Sequence, residues 1–221
     1  MTTRSTFLAA GATVAAGALA SAPTVAADQG HAMYQVLARS ARHRQVIAAP
    51  RLNGGAALRY AGNTLNAFQF ALGQGAGSCH VVAVFYGTSL GYVLDDQIWA
   101  RYKIFDLLDA AGDPLPTMVH SPANPFYRAR STMSATANPS DERGFYHDFT
   151  VEALTRRGVS WFACDNALHS LSGQIAQMHG ADASRVYQDL VTHLVPGTTI
   201  VPAGVAAIVV AQELHYALLP A

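Results

Sequence analysis

The sequence predicts an α/β domain built on a mainly parallel sheet of about five strands. Three observations predict it. Short apolar runs alternate with stretches of helical period, one run is apolar without interruption, and the 221-residue chain is 51% hydrophobic with only 13% charged residues. Strands that alternate with helices pair in parallel through right-handed crossovers. An uninterrupted apolar strand is what a sheet covered on both faces requires. A chain of this length fills one core, so a single domain is expected.

The first 27 residues read as a leader. Arg4 gives a positive start, a weakly hydrophobic stretch runs from Phe7 to Ala20, and Val25-Ala26-Ala27 offers small residues for cleavage before Asp28. Ala20-Ser21-Ala22 is a weaker cleavage site because Pro23 comes next. Thr3-Arg4-Ser5-Thr6-Phe7-Leu8 resembles a twin-arginine signal with Ser5 where the second arginine belongs, which leaves the export route open. The expectation is a signal peptide at 1–27 and a periplasmic or otherwise exported domain at 28–221. A disordered Ala-rich tail or an apolar anchor helix is the alternative.

Along the chain, Gln45-Val46-Ile47, bounded by Pro50, predicts a first strand over His43 to Ala49. Leu58, Ala61, Leu65, Phe68 and Leu72 recur at helical steps and predict one buried face, with Arg59, Asn63 and Asn66 on another. Gly73, Gly75 and Gly77 end that helix, and Cys79 to Tyr86 is the clearest strand. Ile98, Tyr102, Phe105 and Leu108 predict a second helix, stopped near Gly112. From 113 to 147 five prolines forbid a long regular element, and an insertion of that length is usually functional or disordered. Its aromatics Phe126, Tyr127, Phe145 and Tyr146 favour an ordered lid or a subunit contact. A short helix through Val151 and Leu154 precedes a strand over Val159 to Ala163. Asp165 then caps a helix with Leu168, Leu171, Ile175 and Met178 inward, and Asp182 caps another through Val186 and Leu190. Thr199-Ile200-Val201 is a short strand, Gly204 opens a last helix, and His215 to Leu219 returns to the sheet edge.

Several functions are excluded or unsupported. Formal net charge is zero, no run of Lys and Arg occurs, and lysine appears once, at Lys103, which argues against a nucleic-acid surface, since that needs clustered positive charge to displace phosphate counterions. Phosphate-loop and dinucleotide patterns are absent, and no cofactor is expected. Ser89 after Gly87 does not form a nucleophile elbow, and no carboxylate pair has hydrolase spacing. No apolar run has the length of a membrane span, so none is expected after signal removal.

The string Gly158-Val159-Ser160-Trp161-Phe162-Ala163-Cys164-Asp165-Asn166-Ala167-Leu168 resembles the segment in DsrE/DsrF-like (YchN-like) proteins where a strand delivers a cysteine to a helix. Asn63-Thr64-Leu65-Asn66-Ala67 is similar to that family's first helix, and Val82-Ala83-Val84-Phe85-Tyr86-Gly87 to its central strand. Val195 to Val205, with Tyr216-Ala217, is similar to its closing strand, helix and tail. The resemblance covers most of the mature chain. It implies a three-layer sandwich, assembly as a homotrimer or hexamer, and a persulfide-carrying role for Cys164, with a sulfur-donor or acceptor protein as partner. The insertion, the leader and Ser172-Gly173-Gln174, where relay proteins often have Arg-Gly, depart from the family.

The residues also point to Cys164 without the family. A cysteine at the carboxyl end of a parallel strand lies on the edge where such sheets bind ligands. It also precedes a helix N-terminus, whose dipole favours a thiolate, although Asp165 beside it opposes one. An inert buried thiol is the competing reading. Asn63, Asn66, Tyr86 and Gly204 are the residues expected to border the same pocket. Cys79 begins its strand, and a strand is ~17–20 Å long while a disulfide needs Cα atoms within about 7 Å, so the two thiols stay unpaired. Cys164 and His169 are five apart and diverge on a helix; His147-Asp148 could fold over the edge, but the spacing supports no metal site. Two classes of function remain: a cysteine-dependent sulfur carrier or sulfurtransferase-like protein, and a non-catalytic small-ligand-binding or assembly protein of the same fold.

Overall fold

A computed structural model of the chain describes residues 22–115, 122–131, 141 and 143–221, with side chains from residue 27 onward. The leader pattern therefore lies almost wholly outside the described residues. The first element, α1 (Ala22–Leu37), runs through the expected cleavage point before Asp28 and brings Met33 and Leu37 into the core. That helix has no counterpart among the elements expected from the sequence.

Five strands form the sheet: β1 (His43–Ala49), β2 (Cys79–Phe85), β3 (Ser160–Cys164), β4 (Thr198–Val201) and β5 (Ala217–Pro220). Their order is β4-β3-β2-β1-β5, and every pairing is parallel. All seven residues of β2 are buried, as its unbroken apolar run requires. Alternate residues feed opposite faces. Ile47, Ala83, Phe85 and Trp161 point into the larger core, while Val46, Val82, Val84 and Phe162 point into the smaller one.

The helices divide by the direction of travel across the sheet. From β1 to β2 to β3 to β4 the chain moves one way, through α2 (Ala56–Asn66), then α3 (Asp96–Arg101), α4 (Ile104–Ala110) and α5 (Val151–Arg156), then α6 (Asp165–His179) and α7 (Ala183–Thr192). Right-handed crossovers put all of these on one face, and their apolar residues share the larger core. From β4 to β5 the chain travels back, so the same handedness sends α8 (Gly204–Glu213) to the other face, where it packs beside α1. The result is a three-layer α/β sandwich with a five-stranded parallel sheet.

Four details differ from the sequence reading. The helix expected over Ile98 to Leu108 is two helices, because Lys103 takes a left-handed conformation (φ 47°) between them. Leu72 lies 59% exposed, since a π-turn over Ala67–Ala71 widens the helix and rotates its last residues off the buried face. Met178 is 54% exposed, because the 15-residue α6, ~22 Å long, outruns the five-residue strand before it. The cap of α6 is Cys164 rather than Asp165.

The described part of the 113–147 insertion holds no helix or strand. Its aromatics pack inward on the same domain: Phe126 meets Tyr92 edge-on at 4.9 Å, and Phe145 and Tyr146 tilt against Phe70 at 6.0 and 5.6 Å. Asn124 anchors one end, donating to the carbonyls of Gly91, Tyr92 and Leu94 and accepting from the Phe126 N–H. The Asp148 carboxylate anchors the other, accepting from the N–H groups of Arg130, Ser131 and Thr150 and from the Thr150 hydroxyl. Burial pushes that carboxyl up, but these hydrogen bonds outweigh it and hold it below its ordinary value.

Candidate functional site

The connections after β3 and β4 leave for opposite faces, so the ends of these neighbouring strands part and open a crevice. Cys164 is the last residue of β3 and pairs with Val201 of β4 at that point. It is also the N-cap of α6, in extended conformation. α8 starts three residues after β4, and a Cβ added to its first residue, Gly204, would lie 3.3 Å from Cys164 Cβ and 3.2 Å from Tyr86 Cβ. Two helix N-termini thus meet at Cys164, and neither carries a side-chain cap. Their backbone N–H groups and dipoles favour negative charge there.

A cavity of about 430 Å³ opens beside this junction. Cys164, Tyr86 and Gly204 form its sheet-side wall, and Ile104, Leu107 and Leu108 of α4 form an apolar wall opposite. Asn166, Ser170 and Gln174 of α6 add polar groups along one side. Among the described residues no carboxylate, lysine, arginine or histidine lines it. Cys164 is only 6% exposed, so a molecule must enter the cavity to reach the sulfur.

Local structure holds the rim. The Tyr86 N–H donates to Ser89 Oγ, and Ser89 donates in turn to the Ala49 carbonyl, which fixes the turn leaving β2. Gly87 has φ 75°, and a Cβ there would stand 2.6 Å from the Pro50 carbonyl oxygen, so only glycine fits. Asp113 accepts from Thr88 Oγ1 and from the N–H groups of Leu52 and Asn53, binding the start of the insertion to the same rim. Burial pushes the Tyr86 phenol up, so it serves as a neutral hydroxyl. The Asp165 carboxylate, the expected opponent of a thiolate, is turned to α7, where it accepts a 2.6 Å hydrogen bond from the Tyr187 hydroxyl.

Three of the five residues expected at the pocket are brought together: Cys164, Tyr86 and Gly204. Asn63 and Asn66 are not, and their placement beside Cys164 is corrected. They end α2, which leaves the carboxyl edge after β1 and has run ~15 Å toward the amino edge by then. Asn63 is exposed, while Asn66, expected on a solvated face, is 3% exposed with Nδ2 donating to the Tyr146 carbonyl. Cys79 opens β2 at that far edge, so both thiols are free. Burial pushes the Cys79 thiol up to about 11.

Two parts of the cavity were missed from sequence. Asn166, Ser170 and Gln174 recur at steps of four, a polar stripe beside the apolar Leu168 and Ile175, and that spacing was a usable signal. The α4 wall gave none, because a residue lining an apolar cavity has the same period as one in the core. Among the described residues no group of three or more His, Cys, Asp or Glu side chains converges as metal ligands would, and no helix is long and apolar enough to cross a membrane.

No protein-family model matches this chain, and no curated protein sequence matches it. Among solved structures it is similar to a protein of unknown function, MTH1491 from Methanobacterium thermoautotrophicum, at 18% identity and a TM-score of 0.40, over 81% of this chain and 99% of that one. A likeness at that level says nothing of function.

Proposed function

We propose that this chain is an exported, DsrE/DsrF-like sulfur carrier whose acceptor is the Cys164 thiol. The observation that carries the reading is the convergence of two uncapped helix N-termini on that cysteine at the mouth of a cavity. Each terminus favours nearby negative charge by about 0.3–1 kcal/mol, which suits an anionic sulfur species. In the loading step the Cys164 thiolate attacks the terminal sulfur of a small persulfide, R–S–SH. A bond forms between Cys164 Sγ and that sulfur, which keeps its hydrogen, and the donor S–S bond breaks. RS⁻ leaves with the electron pair and takes up from solvent the equivalent of the proton that Cys164 released on ionising. A nearly enclosed sulfur calls for a small donor, and an acceptor protein would have to open or enter the cavity to unload it. The leader pattern at 1–27 supports a location outside the cytoplasm, and assembly as a homo-oligomer belongs to the same family reading.

The test is intact mass after exposure to a low-molecular-weight persulfide, with mapping of the added atom. One sulfur should be gained at Cys164, lost in Cys164→Ser and retained in Cys79→Ser. Equal loading of the Cys164→Ser protein refutes the proposal.

A second reading has its own observation: the cavity beside Cys164 is walled mostly by hydrocarbon and lacks a charged group among the described residues. On that reading the protein binds a small apolar ligand or assembles without chemistry. Cys164→Ser would then be silent, while trimming 122–138 would disrupt binding or assembly.

A further inference from the structure

A second cavity lies at the opposite, amino edge of the sheet, and the Cys164 chemistry does not use it. It has a volume of about 250 Å³ and is bounded by the end of α2, the loop before β2, α5 and the insertion. Phe68, Phe145 and Leu65 give it an apolar body, and Ser78, Ser131 and Arg157 bring polar groups to it. Arg157 is the unusual member. All three of its guanidinium nitrogens are buried, and none has a hydrogen-bond partner among the described residues. The guanidinium instead lies over the Phe145 ring, 5.2 Å from its centre.

A buried guanidinium normally satisfies its five N–H groups, because leaving them unpaired costs the full desolvation of a charge. The cost registers as a pKa brought down to about 10 by burial. Neighbouring Arg156 does not share this state, since it pairs with Glu152 at 3.0 Å. The Cys79 thiol on the wall is neutral, so it does not repel an anion. Arg157 therefore brings to the wall of the cavity a positive charge that is unpaired among the described residues, its guanidinium nitrogens buried in that wall beside the Phe145 ring.

We propose that this pocket is a binding site for a small organic carboxylate with an apolar body, gripped through its carboxylate by Arg157. The fork matches the two oxygens of a carboxylate. One such cation suits a monoanion better than a phosphate monoester. At roughly 30 Å³ per water-sized group the volume holds about eight such groups, the size of benzoate or hexanoate rather than of a nucleotide.

Benzoate is the probe, titrated into the full chain by calorimetry, with benzyl alcohol and inorganic phosphate as comparison ligands. Benzoate should bind saturably at one site, and both comparison ligands at least tenfold more weakly. Arg157→Gln should weaken benzoate by about tenfold to a hundredfold, the worth of hydrogen bonds to a charged group, and Arg157→Lys should fall between. Removing an unpaired buried charge should leave the Arg157→Gln fold intact, as its thermal melt would confirm. Benzyl alcohol binding as tightly as benzoate, phosphate binding as tightly, or undiminished benzoate binding by Arg157→Gln would each overturn the proposal. The wild-type comparisons decide even if a variant fails to fold. Because this site and Cys164 lie on opposite edges, persulfide loading succeeds or fails independently of the result.

Discussion

Lowering the pH from about 7.5 to about 5 should destabilise the fold by about 2 kcal/mol through one side chain, His80. His80 lies in β2, 4% exposed. Its ring bridges two elements: Nδ1 meets the Tyr216 hydroxyl at 2.7 Å and Nε2 meets Ser160 Oγ at 3.1 Å. Tyr216 donates its single hydrogen to the Leu37 carbonyl at 3.0 Å, so His80 donates from Nδ1, and a ring protonated there alone accepts at Nε2 from the Ser160 hydroxyl. That tautomer is neutral. Burial first, then the charges of Arg39 and Arg44, lower its pKa from 6.5 to about 4. The unfolded chain takes up this proton near 6.5 and the folded chain only near 4, so between those values the unfolded state binds more protons. Stability is then full above 6.5 and falls as the pH drops toward 4, by up to about 1.36 kcal/mol per unit. Stopping at about pH 5 keeps most carboxylates out of the measurement. Urea midpoints across this range, for the wild type and His80→Gln, isolate the effect as the difference in slope. Equal slopes in the two proteins would refute the assignment of a neutral, buried His80.

Two substitutions test what holds the cavity and the insertion. Asn124→Ala removes the side-chain donor from the Tyr92 and Leu94 carbonyls and the acceptor of the Phe126 N–H, while the Gly91 carbonyl keeps Trp99 Nε1, and it should lower unfolding stability by about 2–3 kcal/mol in urea titrations; a loss below about 1 kcal/mol would mean water takes over the carbonyls. Gly62→Ala adds a Cβ that would fall 2.2 Å from Phe149 Cδ1, against a gain of about 1 kcal/mol in helix propensity. Overpacking of this kind costs about 1–3 kcal/mol, so a net loss is expected, and a raised melting temperature would show that the Phe149 ring swings away freely.

The sheet was legible because its signals are local. Val81 to Phe85 announce a two-sided strand, and Pro202-Ala203-Gly204 announces a strand giving way to a helix. What escaped depends on partners distant in sequence. Lys103 has no residue-type signature for φ 47°; the break takes hold where Tyr102 and Arg101 both bind Asp189, about ninety positions away. α1 was obscured because Ala22 to Ala27 read as the tail of a leader, which masks the helical spacing of Met33 and Leu37 behind it. Asn66 failed for a different reason. A polar residue on an amphipathic helix reads as solvated, and only the return of the insertion at Tyr146 gives its amide a buried partner. The Arg157 pocket has the same origin, since Phe145 and Ser131 reach it across the insertion.

The candidate site falls at Cys164 rather than at another strand end because of the topology. β1, β2 and β3 all hand the chain to the same face, so the helices that follow them share one layer and one core. Only between β3 and β4 does the layer divide, because α8 must carry the chain back toward β5 on the other side. That single reversal sets one helix start beside another, with a cysteine between them and a glycine small enough to let them approach. Cys79 shows how much the placement matters. It is the same residue type on the adjacent strand, 5% exposed against 6% for Cys164, yet it sits where strands begin, away from the helix starts, and burial alone governs its thiol. Chemistry that depends on a poised sulfur should therefore be lost on substitution at 164 and indifferent to substitution at 79, although the two thiols are nearly equal in exposure.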